Sequence, residues 1–203
     1  MAYSITHLNW QNQLNIDSIT YNCGHCGAFT APAFGYYTPL QSGFQAYICL
    51  CSNCNKPTYI LQLSSTIVEI VPGKMPGESI TLLPEDVGKL YDEARKSSAV
   101  GSYTATVLTC RKILMHIAVS TGADEGKKFI EYIEYLSEKG YIPPNGKDWV
   151  DHIRKRGNEA NHEIKIMTKD QSDVLLRFTE MLLRFVYEFA HLIPNKEAED
   201  TEG

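Results

Sequence analysis

The chain has 203 residues, of which 43% are hydrophobic and 21% charged, with a formal net charge of −5. Such a composition belongs to a soluble globular protein of one large domain or two small ones, and the acidic balance argues against a protein that coats nucleic acid without selectivity. No apolar run approaches the roughly 18 residues of a membrane span, and the opening MAYSITHLNWQNQ has neither the basic start nor the apolar stretch of a secretion signal; both absences point to the cytosol.

Residues 1–83 are rich in Tyr, Thr, Ile, Gly and Pro and poor in charge. FQAYICL (44–50), TYILQL (58–63) and TIVEIV (66–71) combine β-branched and aromatic residues with partial alternation, which predicts strands. Glycine and proline punctuate them at Gly35, Pro39, Gly43, Pro57, Pro72, Gly73, Pro76 and Gly77, and PGKMPGES (72–79) reads as the linker out of a small β-rich unit.

Within that unit lie five of the six cysteines. Cys23/Cys26 and Cys51/Cys54 form two C-x-x-C turns separated by 24 residues. A two-residue spacer lets both thiolates of one turn reach the same ion, and two turns supply four soft ligands at tetrahedral angles, a set that suits structural zinc. A β-unit of this size with few large aliphatics needs such a staple. Buried or redox-active thiols are the alternative. Cys49 lies two residues from Cys51 and competes with it as a ligand; Cys51 is preferred because it completes the C-x-x-C turn with Cys54. His25, inside the first turn, reads as a spacer. Lys56 and Lys74 are the only lysines or arginines in residues 1–83, against Asp17, Glu69 and Glu78, so no phosphate-binding face is evident there. Tyr36 and Tyr37 can stack on a base, but a small core also needs aromatics, and core is the preferred reading.

From Pro84 the period becomes helical. PEDVGKLYDEARKSS places proline in a first-turn position and two acids after it, at the positive end of a helix dipole; Val87, Leu90, Tyr91 and Ala94 mark its apolar side. Val107, Leu108, Leu114 and Ile117 mark a second helix that ends near Gly122, and Phe129, Ile133 and Leu136 a third that stops at Gly140. After YIPPNG a fourth runs through Trp149, Val150 and Ile153. The last opens on a Thr168–Gln171 capping box and carries Val174, Leu175, Phe178, Met181, Leu182, Phe185 and Phe189 before Pro194. Four to five helices with short connections imply an antiparallel bundle. The expected architecture is therefore α+β: a β-rich zinc ribbon over 1–83, a helical bundle over 84–194, and over 195–203 an acidic tail expected to be disordered, in which four acids stand against one lysine.

RKRGNEANH (154–162) is the one locally basic stretch with chemistry in it. In a continuous helix Arg154, Asn158 and His162 fall within about 80° of one another, with Arg156 about 120° from His162. If Gly157 instead ends the helix in a left-handed cap, Arg156 and His162 can meet across the turn. Metal-free RNA cleavage needs a base for the 2′-hydroxyl and a cation for the phosphorane charge; histidine and arginine suit those tasks. The same residues also make a plain helix stop, with cations at the negative end of the dipole, and that is the preferred reading. Arg111 and His116 are weaker polar candidates on the second helix. His152 and His191 have no partner visible in sequence, and Cys110 reads as a buried helical cysteine.

YDEARKSSAVGSYTATVLTCRKIL (91–114), the Leu136, Lys139, Gly140, Ile142 element, IRKRGNEANH (153–162) and the long final helix together resemble the family known as domain of unknown function 4145, over about residues 84–193. The Cys110–Arg111 pair and the GN-x-x-x-H core are the most specific marks, and a cysteine-paired ribbon commonly precedes such domains. That family is in turn similar to the HEPN (higher eukaryotes and prokaryotes nucleotide-binding) superfamily of helical bundles, found beside restriction and other phage-defence systems. The resemblance implies an HEPN-like bundle that forms a homodimer through its helices. It implies RNA, DNA, a nucleotide or a defence- or restriction-system protein as partner; the apolar runs, all too short for a span, imply no membrane. Some relatives are metal-independent endoribonucleases with arginine, four to six residues, then histidine, a pattern that Arg156 and His162 match, whereas the arginine that matches the 4145 pattern is Arg154, with seven residues between it and His162. A binding or adaptor role is the preferred expectation and the endoribonuclease the alternative.

Overall fold

A computed structural model describes residues 10–16, 19–143 and 166–189. The chain divides into two compact units, Met1–Met75 and Pro76–Gly203, and is α+β, with the strands in the first unit and the helices in the second.

The first unit is an antiparallel sheet in the order β1-β4-β5-β6-β7, with a separate two-stranded ribbon of β2 and β3. The long strands are β4 (Phe34–Pro39), β5 (Phe44–Leu50), β6 (Pro57–Leu63) and β7 (Thr66–Val71). The short ones are β1 (Leu14–Asn15), β2 (Tyr21–Asn22) and β3 (Phe29–Thr30). Three strands fall where alternation places them. The fourth, β4, is concealed in sequence by Gly35 and Pro39, which look like turn residues. Gly35 pairs with Cys49, and a Cβ there would overlap the carbonyl oxygen of Ile48; glycine lets β4 lie close against β5. Register puts Tyr47 and Cys49 of β5 and Ile60 of β6 on one face, as period two requires. That face packs with Ile19, Tyr21, Cys23 and Cys51 into a small core of its own. Tyr36, Ile48 and Tyr59 align on the opposite face, where Ile48 and Tyr59 are partly exposed.

In the second unit α1 (Glu85–Ala99) and α2 (Tyr103–Ser120) are followed by α3 (Phe129–Glu138) and α4 (Lys169–Leu183). A π turn, Arg184–Glu188, continues α4. Pro84 is the N-cap of α1 rather than a first-turn residue; Glu85 and Asp86 occupy the first turn. Gly101, Gly122 and Gly140 follow the first three helices with positive φ, the left-handed conformation that closes a helix without Cβ strain. The capping box of α4 is formed as its sequence predicts: Gln171 N–H donates to Thr168 Oγ1 at 3.4 Å and Thr168 N–H to Gln171 Oε1 at 2.8 Å.

Tyr91, Ile113, Leu114, Ile117, Ile133, Leu136, Leu176, Phe178 and Leu182 make the centre of one helical core. Cys110 is fully buried there, and burial pushes its thiol up to about 12, so it behaves as a small apolar residue. Two sequence-marked stripes are wider than the core they serve. Leu108 on α2 is 58% exposed, and Met181, Phe185 and Phe189 are half-exposed on the outer side of α4 and its continuation. The helix expected through Trp149, Val150 and Ile153, the Pro194 stop and the acidic tail lie outside the described residues. Among those residues no helix is long and apolar enough to cross a membrane.

Ile133 is fully buried between these helices. Ile133→Ala should therefore destabilise the helical unit by about 2–5 kcal/mol, while Leu108→Ala should change it by less than about 0.5 kcal/mol; urea denaturation followed by helical circular dichroism measures both.

Candidate metal centre

Two turns of the same design build the site. The first leaves β2 at Cys23 and returns to β3: Cys23 N–H donates to Ala28 O at 2.9 Å and Gly27 N–H to Cys23 O at 2.8 Å. The second leaves β5 at Cys51 and returns to β6: Cys51 N–H donates to Lys56 O at 3.1 Å and Asn55 N–H to Cys51 O at 2.8 Å. In each, the residue after the second cysteine has positive φ, Gly27 at 74° and Asn55 at 55°. Glycine and asparagine are the residues that tolerate that conformation, so each turn brings both of its sulfurs to one side.

The four sulfurs converge. Cys23 Sγ and Cys54 Sγ lie 3.8 Å apart, as do Cys26 Sγ and Cys51 Sγ, and all four lie within 4.8 Å of one another. Zinc–thiolate bonds of about 2.3 Å at tetrahedral angles set sulfurs about 3.8 Å apart. The spacing is well beyond the ~2.05 Å of a disulfide, and all six cysteines are free thiols. Cys23 and Cys51 are buried, Cys54 half-buried and Cys26 exposed. Burial pushes the Cys54 thiol up to about 12, and it pushes Cys23 up as well. At Cys26 burial acts in the same direction but is outweighed by hydrogen bonds from Asn53 and the Ala28 backbone and by the neighbouring sulfurs Cys54 and Cys23, leaving it at about 7. Crowded, partly dehydrated sulfurs of this kind cannot all ionise without a cation among them.

The surrounding groups hold this set in place. His25 Nε2 lies 2.9 Å from Pro57 O; as donor to that carbonyl it clips the first turn to the start of β6. His25 N–H donates to Cys23 Sγ at 3.4 Å, and Asn53 Nδ2 donates to Cys26 Sγ at 3.5 Å. Trp10 Nε1 donates to Asn55 O at 3.0 Å, bracing the second turn from the N-terminal side. Cys49 is absent from the cluster: it is fully buried opposite Thr58 and Gly35 in the sheet, with its thiol pushed up to about 11 by burial. The spacing rule finds the four sulfurs that converge. The supporting roles of Trp10, His25 and Asn53 have no signature in spacing, because each depends on which backbone carbonyl or sulfur the fold brings near.

The other sequence candidates, Arg154, Arg156, Asn158 and His162, lie outside the described residues, as do His152 and His191. Arg111 sits over the Phe129 ring, 4.4 Å from its centroid, and burial lowers its pKa; His116 is exposed on α2.

The fold and the cysteine cluster thus define an α+β chain with a four-sulfur centre in its first unit and a helical second unit. The family model described as Domain of unknown function (DUF4145) matches residues 92–200, more than half of the chain, and the chain belongs to that family. No curated protein and no solved structure matches it.

Replacing Cys23, Cys26, Cys51 or Cys54 with serine should each abolish stoichiometric metal, whereas Cys49→Ser should retain it; elemental analysis of the purified variants distinguishes the two groups. Metal-free sulfurs hold protons that a bound cation must displace, so the metal-free form binds more protons and affinity rises with pH. Titrating the loaded protein downward from neutrality should release metal progressively, as followed with a chromogenic chelator.

Proposed function

We propose that the first unit is a zinc ribbon and that the protein is a non-catalytic binding or adaptor component of a prokaryotic defence or restriction-associated system. The observation that supports the ribbon is the convergence of four sulfurs on two matched turns. Cys23, Cys26, Cys51 and Cys54 would hold the ion. Zinc would supply fold stability there rather than chemistry, because four protein ligands leave no open position for water or substrate. The core beneath the sheet is small, and a structural zinc site contributes about 10–16 kcal/mol that is folding free energy outright.

The helical unit is the recognition part of this reading. Family membership over residues 92–200 and the helices packed around a single core support a helical bundle, which we read as HEPN-like and homodimeric on the family resemblance. Its target is RNA, DNA, a nucleotide or a partner protein of the same system, in the cytoplasm. The first unit contributes little positive charge, with Lys56 and Lys74 as its only lysines or arginines, so binding of nucleic acid would fall to the bundle. The alternative, a metal-independent endoribonuclease using His162 with Arg154 or Arg156, rests on the Arg156–His162 spacing alone.

Incubation with a broad RNA panel in EDTA, comparing wild type with His162→Ala, separates the two. The binding role predicts intact RNA with both proteins. Cleavage by the wild type that His162→Ala reduces by roughly a hundredfold or more would overturn it in favour of the endoribonuclease.

A further inference from the structure

Residues 72–81 join the strands to the helices, and their composition suggests a loose connection: Pro72, Gly73, Pro76 and Gly77 fall within six positions. The structure shows the opposite at both ends. On the side of the helices, buried Arg95 of α1 reaches back to this segment. Its Nε donates to Pro76 O at 2.9 Å and its Nη2 to Gly77 O at 3.0 Å. Its Nη1 pairs with Asp92 at 3.2 Å. Gly77 has a φ of +69°, and a Cβ there would lie 2.6 Å from Tyr91 Oη and 2.7 Å from Glu180 Oε2. Glu78 N–H then donates to Glu180 Oε1 at 3.3 Å, and Thr81 Oγ1 to Glu188 Oε1 at 3.0 Å. Glu180 and Glu188 are themselves held by Arg184 at 3.0 and 2.7 Å. Residues 76–81 are a strap bound to α1 and α4.

On the side of the strands, the backbone of Pro72 and Gly73 lies directly against Gly24, the residue between Cys23 and His25 in the first metal turn. A Cβ at Gly24 would overlap Gly73 O and lie 2.5 Å from Pro72 O. Only glycine lets the turn and the departing chain approach so closely. Between the two anchors stand Lys74 and Met75, with Lys74 exposed.

We infer that the joint between the two units is only two residues long, Lys74 and Met75, and that the metal turn itself sets its length. The inference rests on the metal reading proposed above for the ribbon. With an ion in place, Cys23 and Cys26 fix the backbone of Gly24, which carries Pro72 and Gly73 on its surface. Without the ion that turn loses its shape, Pro72 and Gly73 come free, and the joint extends back to the end of β7. Metal occupancy thereby controls how far one unit can move relative to the other, through a contact made by neither ligand atoms nor side chains. Arg95 holds the far end independently of the metal.

Trypsin reads this directly. In the first unit Lys74 is the cleavable site, because the only other lysine or arginine, Lys56, precedes Pro57. Cleavage rate follows the population of opened chain. The full-length chain is digested with its metal bound and after stripping with a chelator, metal content is measured in parallel, and cleavage after Lys74 is identified by intact mass. Stripping should accelerate that cut roughly tenfold or more. Gly24→Ala should accelerate it with the metal bound, while chymotryptic resistance of the sheet aromatics stays at the wild-type level. Loss of metal from Gly24→Ala supports the same coupling, since the nearest atoms the added carbon meets are those of Pro72 and Gly73. Arg95→Ala should accelerate the cut at full metal occupancy, and Arg95→Lys should do so by less. The lysine variant keeps this arm decisive if the alanine variant loses helicity. Absence of metal from wild-type protein contradicts the ribbon reading. Bound metal together with unchanged Lys74 cleavage after stripping, in Gly24→Ala or in both folded Arg95 variants, overturns the two-residue joint.

Discussion

Everything in the first unit depends on bringing four thiols to within 4.8 Å of one another. No sheet of this size would gather them unaided, because half-dehydrated thiols gain little from each other's company. The strands supply the placement. β5 delivers Cys51 at its end, β6 begins just beyond Cys54, and the β2–β3 ribbon lays Cys23 and Cys26 against them. A cation at the centre would turn that convergence from a cost into a gain, since it favours ionised sulfur over the protonated form that burial favours at Cys23 and Cys54. The small apolar cluster of Ile19, Tyr21, Tyr47 and Ile60 then finishes what the sulfurs begin.

The helical unit is stabilised by other means. Its core is large and aliphatic, its helices end on left-handed glycines, and its last helix opens on a two-way capping box. Charged groups meet it at one corner, where Arg95 and Glu180, together with Tyr91, reach the strap at Pro76–Glu78. Arg95 is only 6% exposed, and it is satisfied mainly by two backbone carbonyls rather than by an isolated ion pair, an arrangement that offsets much of the desolvation a buried guanidinium suffers. Tyr91 is pushed up by burial and by the nearby Glu180 carboxylate, so it stays a neutral phenol at that corner.

How much of this was legible in the sequence follows from the range of the interactions involved. Strands 44–50 and 66–71 and the capping box at Thr168 were readable because their signals are local: alternation of side chains and a four-residue hydrogen-bond exchange. The clustering of Cys23, Cys26, Cys51 and Cys54 is legible because two-residue spacing is itself a geometric requirement, and Cys49, outside that spacing, lies outside the cluster. β4 was not readable, because Gly35 serves a neighbouring strand rather than a turn. The clip from His25 to Pro57 and the support of Cys26 by Asn53 were equally hidden, since the partners are 32 and 27 residues away. The apolar stripe of α4 was legible as a stripe but not in its width: Leu175, Phe178 and Leu182 face the core, while Met181, Phe185 and Phe189 turn outward. The linker was misleading for a related reason. Proline and glycine mark irregular backbone, and irregular backbone here is held at both ends by groups far along the chain.

X-ray absorption at the zinc edge of the purified full-length protein tests the central claim most directly. One zinc per chain with four sulfur neighbours at about 2.3 Å is the result expected from the geometry of Cys23, Cys26, Cys51 and Cys54. A folded sheet with no zinc signal, or a first shell containing nitrogen or oxygen in place of sulfur, would contradict it.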